Sequence, residues 1–209
     1  ASFVLFDNFT SLFANGYFRQ AVVNTIVFTL LAVLFEMALG LLAAVFVNGL
    51  TRGQKMMRTL LLLPYLLPAV TVALSWRMML SSNYGLVNPA LSALGLPVFN
   101  WFMDTKTAFG TILLIDVWQN VPFVFLLLYA SLQSVSESQY EAARIDGAGA
   151  IQRFRYVTLP NIKGSLALCA LLRTIDTFRL FEKVNVLNGR GPAGATSTVT
   201  QDLYIDGLT

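Results

Sequence analysis

Glu141-Ala142-Ala143-Arg144-Ile145-Asp146-Gly147, closed downstream by Val157-Thr158-Leu159-Pro160, is a polar insert lying between two long apolar stretches. A charged segment inside so apolar a chain belongs outside lipid. Ser138, with Glu141 three residues later, reads as a capping box that opens a short helix. The two alanines give that helix a slim, helix-favouring face that another protein can approach closely, and Gly147 supplies the left-handed position that ends it. A second short helix is expected from Ala150 to Thr158, bearing Arg153 and Arg155, with Pro160 opening the next long element. The segment therefore reads as a helix-turn-helix elbow.

Outward from the elbow, charge is sparse. Glu36 is the only charge between Arg19 and Arg52, none lies between Arg58 and Arg77, and Asp116 is the only one between Lys106 and Glu137. Each interval can hold a membrane span of about 20 residues. Over the whole 209-residue chain 56% of residues are hydrophobic, only 12% are charged and mean hydropathy is +0.66. A soluble domain carries about twice that charged fraction. The expected class is an all-α membrane protein, a polytopic helical bundle over 1–209. Spans are placed at 21–48, 59–80, 107–133 and 164–187, the last interrupted by Arg173, Asp176, Arg179, Glu182 and Lys183. Loops follow at 81–106, 134–163 and 188–209. Phe3 to Phe18 reads as an amphipathic surface stretch and not as a signal peptide.

Basic residues fix the sidedness, because cytoplasmic loops accumulate Lys and Arg. Arg52, Lys55 and Arg58 cluster after the first span, and Arg144, Arg153, Arg155 and Lys163 cluster in 134–163. Both loops are expected to be cytoplasmic, with 81–106 and 188–209 extracytoplasmic. A layout that begins and ends outside, without an initiating Met, suggests a trimmed chain. The net charge of +3 is too small for a nucleic-acid partner, and the single Cys169 has no disulfide partner in the chain. Zero histidines and one cysteine remove most nucleophile, base and metal-ligand options. Asn188-Gly189-Arg190-Gly191-Pro192-Ala193-Gly194 is glycine-rich but lacks the Gly-Lys-Ser/Thr ending of a phosphate loop, so it reads as a turn.

Within the spans, polar residues need a reason. Glu36 must be protonated, paired or facing water, whereas Gly40, Ala43 and Ala44 make a slim face suited to helix packing. Pro64 and Pro68 predict a kink in the second span, and Trp76 with Arg77 suggests an interface anchor. Asp116, Trp118, Gln119, Asn120 and Pro122 form a polar, aromatic island about 13 to 22 Å along the third span, near the bilayer middle. Such an island offers hydrogen-bonding groups for a solute's rim and an aromatic face for its C–H surface. Arg173, Asp176 and Arg179 repeat every third residue on the fourth span, lining either the pathway or a structural ion-pair network.

Glu141, Ala142, Ala143, Gly147, Val157, Leu159 and Pro160 resemble the cytoplasmic loop of permease subunits of binding-protein-dependent ABC importers, which carries Glu-Ala-Ala, then Gly, then an Ile/Val-x-Leu-Pro ending. Asp146-Gly147-Ala148 and the run Arg173 to Arg179 look like the carbohydrate branch, similar to maltose- and trehalose-type permeases. The resemblance implies the type I importer permease fold, in a chain lacking the first and last spans. It implies a sugar substrate and a second, non-identical permease subunit. It also implies two ATPase subunits holding ATP and Mg, an extracytoplasmic solute-binding protein, and a multi-pass place in a bacterial or archaeal cytoplasmic membrane. This chain itself would hold no cofactor and be no enzyme. Glu141, Ala142, Ala143, Asp146, Gly147, Leu159 and Pro160 would couple to an ATPase subunit; Asp116, Trp118, Gln119, Asn120, Arg173, Asp176 and Arg179 are the candidate pathway. The rival reading is an ion-coupled secondary transporter relaying protons through Glu36, Asp116 and the Arg173/Asp176 pair.

Overall fold

The computed structural model describes residues 13–180, 182–189, 191 and 196–208. Most of the stretch 3–18 and residues 190 and 192–194 of the glycine-rich segment lie outside them. Among the described residues the secondary structure is helical throughout, with no strand. Helix α1 runs Gly16–Asn48, α2 Gln54–Leu62, α3 Ala69–Met79, α4 Val87–Ala93, α5 Thr105–Gln133, α6 Glu137–Ile145, α7 Ala150–Arg153, α8 Leu159–Phe178, α9 Glu182–Leu187 and α10 Val199–Leu208.

Helices α1 and α5 are each long and apolar enough to cross a membrane. They start a few residues before the expected 21–48 and 107–133 and stop at about the same places. Val23, Leu30, Leu34, Leu42 and Phe46 leave a flank of α1 bare. So continuous an apolar strip needs lipid or another helix against it.

The expected second span, 59–80, is broken instead of kinked. A 3-10 turn covers Leu63–Leu66, Leu67 and Pro68 are extended with ψ of 136° and 141°, and α3 then restarts. Pro68 cannot donate a helical hydrogen bond, and the residue before a proline is pushed out of the α region. Pro64 sits in the first turn of the 3-10 segment, where a missing N–H costs nothing. The expected fourth span, 164–187, is also two helices, α8 and α9. Tight turns from Arg179 N to Asp176 O (3.2 Å) and from Leu180 N to Thr177 O (3.1 Å) close α8. The charges that interrupt the apolar pattern there coincide with the break.

The chain divides into two compact units. One comprises α1 through Ala32, Pro68–Asp116 and the chain from Asp176 onward. Its core joins Phe28, Val72, Leu80, Ile112, Ile115, Val184 and Leu187, with half-buried Trp76 packed alongside. Arg77 donates to the Val186 carbonyl at 2.9 Å. The tail is tied to α1, since Val199 N donates to Thr25 Oγ1 (3.0 Å) and Asn24 Nδ2 donates to Ser197 O (3.2 Å).

The second unit comprises Val33–Leu67 and Val117–Ile175. Val47, Val124, Phe125, Leu128, Ile162 and Cys169 fill its core. A Cβ on Gly40 would come within 2.5 Å of Val124 Cγ1, so this glycine is what lets α1 and α5 touch.

Candidate functional site

The elbow forms, with one change at its start. Ser136, not Ser138, is the N-cap of α6, and no side-chain cap is made there. The Ser136 hydroxyl instead meets that of Ser138 at 2.7 Å, so the expected capping box with Glu141 is not built. At the other end Gly147 has φ of 77°. Its N–H donates to Arg144 O (3.1 Å) and the Ala148 N–H to Ala143 O (2.9 Å). Both bonds together are the Schellman closure, which left-handed glycine permits.

The second arm begins when Gly149 N–H donates to Gln152 Oε1 at 2.8 Å. Helix α7 passes into a π turn over Phe154–Thr158, with Leu159 N reaching back to Phe154 O, and then into α8 without a gap. Pro160 follows immediately, and in a regular α turn its ring would press on the carbonyl four residues earlier. A wider π turn relieves that pressure. Two ties fasten the arms together: Tyr140 to Thr158 through their hydroxyls (3.0 Å), and Asn161 Nδ2 to Gln139 Oε1 (2.7 Å).

Glu141, Ala142, Asp146, Gly147 and Pro160 are exposed, and Ala143 and Leu159 are partly buried. Ile145 and Ile151, on either side of the turn, are 86% and 83% exposed. Both isoleucines are left bare on an elbow that is otherwise largely polar. Ile145 stands between Arg144 and Asp146 and Ile151 between Ala150 and Gln152, so neither belongs to an apolar run.

The buried charges sort themselves differently from the sequence expectation. Within the second unit the Arg173 guanidinium forks onto Glu36, Nε to Oε2 at 2.7 Å and Nη2 to Oε1 at 3.0 Å, and both side chains are buried. Within the first unit Lys183 Nζ hydrogen-bonds Asp116 Oδ1, again with both buried. From the sequence pattern Lys183 is only one of the charges that interrupt 164–187. Asp176 and Arg179 are exposed, so the stripe Arg173, Asp176, Arg179 does not share one environment. Glu36 and Asp116, two members of the supposed proton relay, each meet a cation, and for Asp116 that cation is Lys183, which the relay did not include.

Of the remaining island, Gln119 is buried and donates to the Leu67 carbonyl at 2.9 Å, satisfying backbone freed by the break before Pro68. Its Oε1 is buried with no partner among the described residues. Asn120 is buried as well, whereas Trp118 is 40% exposed. Pro122 lies inside α5 and leaves the carbonyl of Trp118 without its helical donor. No group of His, Cys, Asp and Glu among the described residues could hold a metal ion.

Residues 36–199 match the family described as "Binding-protein-dependent transport system inner membrane component". The chain belongs to this family. As a binding-protein-dependent inner membrane component, it is 38% identical over 198 residues to the trehalose/maltose transport system permease protein MalF of Thermococcus litoralis, covering 95% of this chain and 67% of that one. It is 36% identical over 205 residues to the sulfoquinovosyl glycerol transport system permease protein SmoG of Agrobacterium fabrum, covering 98% and 66%. The chain thus spans about two thirds of the length of these relatives. Among solved structures, a bacterial alginate ABC transporter in complex with an alginate pentasaccharide-bound periplasmic protein matches with a TM-score of 0.90 and 26% identity, over 98% of this chain and 72% of that one. The fold is that of ABC importer permeases, as the elbow motif implied.

Proposed function

We propose that this chain is the membrane-spanning permease of an ATP-driven importer for a saccharide, in a bacterial or archaeal cytoplasmic membrane. The elbow seats on a separate ATPase subunit, which holds ATP and Mg. The observation that carries this reading is the pair Ile145 and Ile151, left bare on either side of a turn that two hydrogen bonds hold rigid. Apolar side chains there fill a partner's cleft, and exposed Glu141 on the same elbow supplies a charge to pair with a basic residue of that partner.

Because the π turn joins the elbow to α8 without a break, movement of the seated elbow passes into the membrane as a displacement of a whole helix. Saccharide specificity is carried over from the relatives named above, all of which handle glycosides. Asp116, Trp118, Gln119, Asn120, Arg173, Asp176 and Arg179 remain the proposed pathway, with Arg173 and Asp116 acting through their ion pairs and exposed Trp118 offering its ring to the solute. A second, non-identical permease and an extracytoplasmic binding protein complete the assembly, with 81–106 and 188–209 on the outer side.

The test is reconstitution of the full transporter in proteoliposomes with a panel of maltose, trehalose and sulfoquinovosyl glycerol. Uptake of at least one that requires internal ATP is expected. Replacing Ile145 and Ile151 by Asp should abolish uptake and release the ATPase subunit on co-purification. Saccharide uptake that survives ATP depletion and collapses with the proton gradient would overturn the proposal.

A further inference from the structure

Between the end of α3, the loop before α5 and the end of α9, the first unit carries an open cavity of about 760 Å³. That is the size range of small-molecule sites, roughly 300–1,000 Å³. Its lining is not that of a packing defect. Arg77, Asn83, Tyr84, Asn100, Trp101 and Asn188 all face it.

Three features make it a built site. First, Trp101 is held in place: its Nε1 donates to Asn88 Oδ1 at 2.9 Å, and Asn88 Nδ2 donates to the Phe99 carbonyl at 3.0 Å. With its N–H spoken for, the indole contributes a fixed apolar face. Second, donors on the wall are left over. Arg77 spends one Nη on Val186 O and keeps other N–H groups, while Asn100 takes Ser82 Oγ on its Oδ1 (3.1 Å) and keeps its amide N–H. Third, Arg77 is the only charged side chain among the described lining residues.

A fixed ring beside unspent amide and guanidinium donors is the chemistry of a hydroxyl-rich ring compound: C–H surface stacks on the indole and hydroxyl oxygens accept from the amides. We infer that this cavity is a saccharide-binding vestibule of the outer loops, separate from the island at 116–120, where the solute is held before it enters the membrane path. This rests on the reading of the chain as a saccharide importer.

The saccharide carried in the uptake panel is the probe. Asn83→Ala, Tyr84→Ala and Trp101→Leu are each assayed in the complete transporter, together with affinity for the unliganded binding protein. The first two side chains are exposed, so folding survives even if Trp101→Leu fails. Losing one or two such contacts, at about 1 kcal/mol each, raises the uptake KM about five- to thirtyfold, with maximal rate within twofold and binding-protein affinity unchanged. An unaltered KM in the exposed-residue variants overturns the vestibule while leaving the importer reading intact. Equal weakening of the unliganded binding protein also overturns it, by making the cavity a protein-docking surface. Absence of any saccharide uptake in the unaltered transporter sinks both readings together.

Discussion

Among the described residues each compact unit holds a buried ion pair, and these two are built from different cations. In the second unit Arg173 grips both oxygens of Glu36; in the first, Lys183 reaches one oxygen of Asp116. A guanidinium fork fixes distance and orientation at once, whereas an ammonium is a point charge on a flexible stem. The first unit makes up the difference with a polar seam around its tail, where Ser197 Oγ donates to Asp202 Oδ1 at 2.8 Å and Thr25 receives the Val199 N–H. The second unit's buried pair is a rigid two-pronged clasp, whereas the first unit's is a single prong supported by that seam.

That contrast can be broken most severely at Glu36. Removing it leaves Arg173 charged and buried, so Glu36→Leu should cost about 3–5 kcal/mol, read as a loss of thermal stability in detergent. The double variant Glu36→Leu/Arg173→Leu should recover most of the loss. A neutral single variant would show that the clasp holds nothing. Asp116→Asn should cost less, about 2 kcal/mol, because the flexible lysine can turn elsewhere; equal losses at the two sites would erase the distinction. Gly40→Ala, which drives a methyl into Val124, should cost about 1–3 kcal/mol by the same measurement, and only in the unit with the rigid clasp. Thr25→Val leaves the Val199 N–H without its acceptor and should cost about 1 kcal/mol, readable as faster amide exchange at Val199. Smallest of all in stability is Glu141→Gln, within about 0.5 kcal/mol because the residue is exposed. ATP-driven uptake should nevertheless fall.

Charge spacing made the long helices legible, because α1 and α5 end near the charges that bound their apolar intervals. The elbow was legible because Gly147 tolerates the left-handed backbone that ends a helix and the alanines favour helix. What sequence could not separate were choices between near equals. Ser136 and Ser138 both suit a helix start, and packing downstream decides between them. Pro64 and Pro68 announce a disturbance in the second span, but kink or break depends on whether a neighbour such as Gln119 is there to satisfy the freed carbonyl of Leu67. The partners of Glu36 and Asp116 lie 137 and 67 residues away. No periodicity links positions so distant, and the charged cluster from Arg173 to Lys183 offered three cations, Arg173, Arg179 and Lys183, to pair with them.

The π turn at Phe154–Thr158 has a consequence for azimuth. Each residue on an α-helix advances the facing direction by about 100°, so the one extra residue in a π turn resets the rotational phase of everything after it. The direction in which Ile151 points and the direction in which Arg173 points are therefore locked to each other through that turn. Deleting one residue there would leave both helices intact and swing the guanidinium about a quarter turn away from Glu36, as if a key had been cut correctly and inserted sideways.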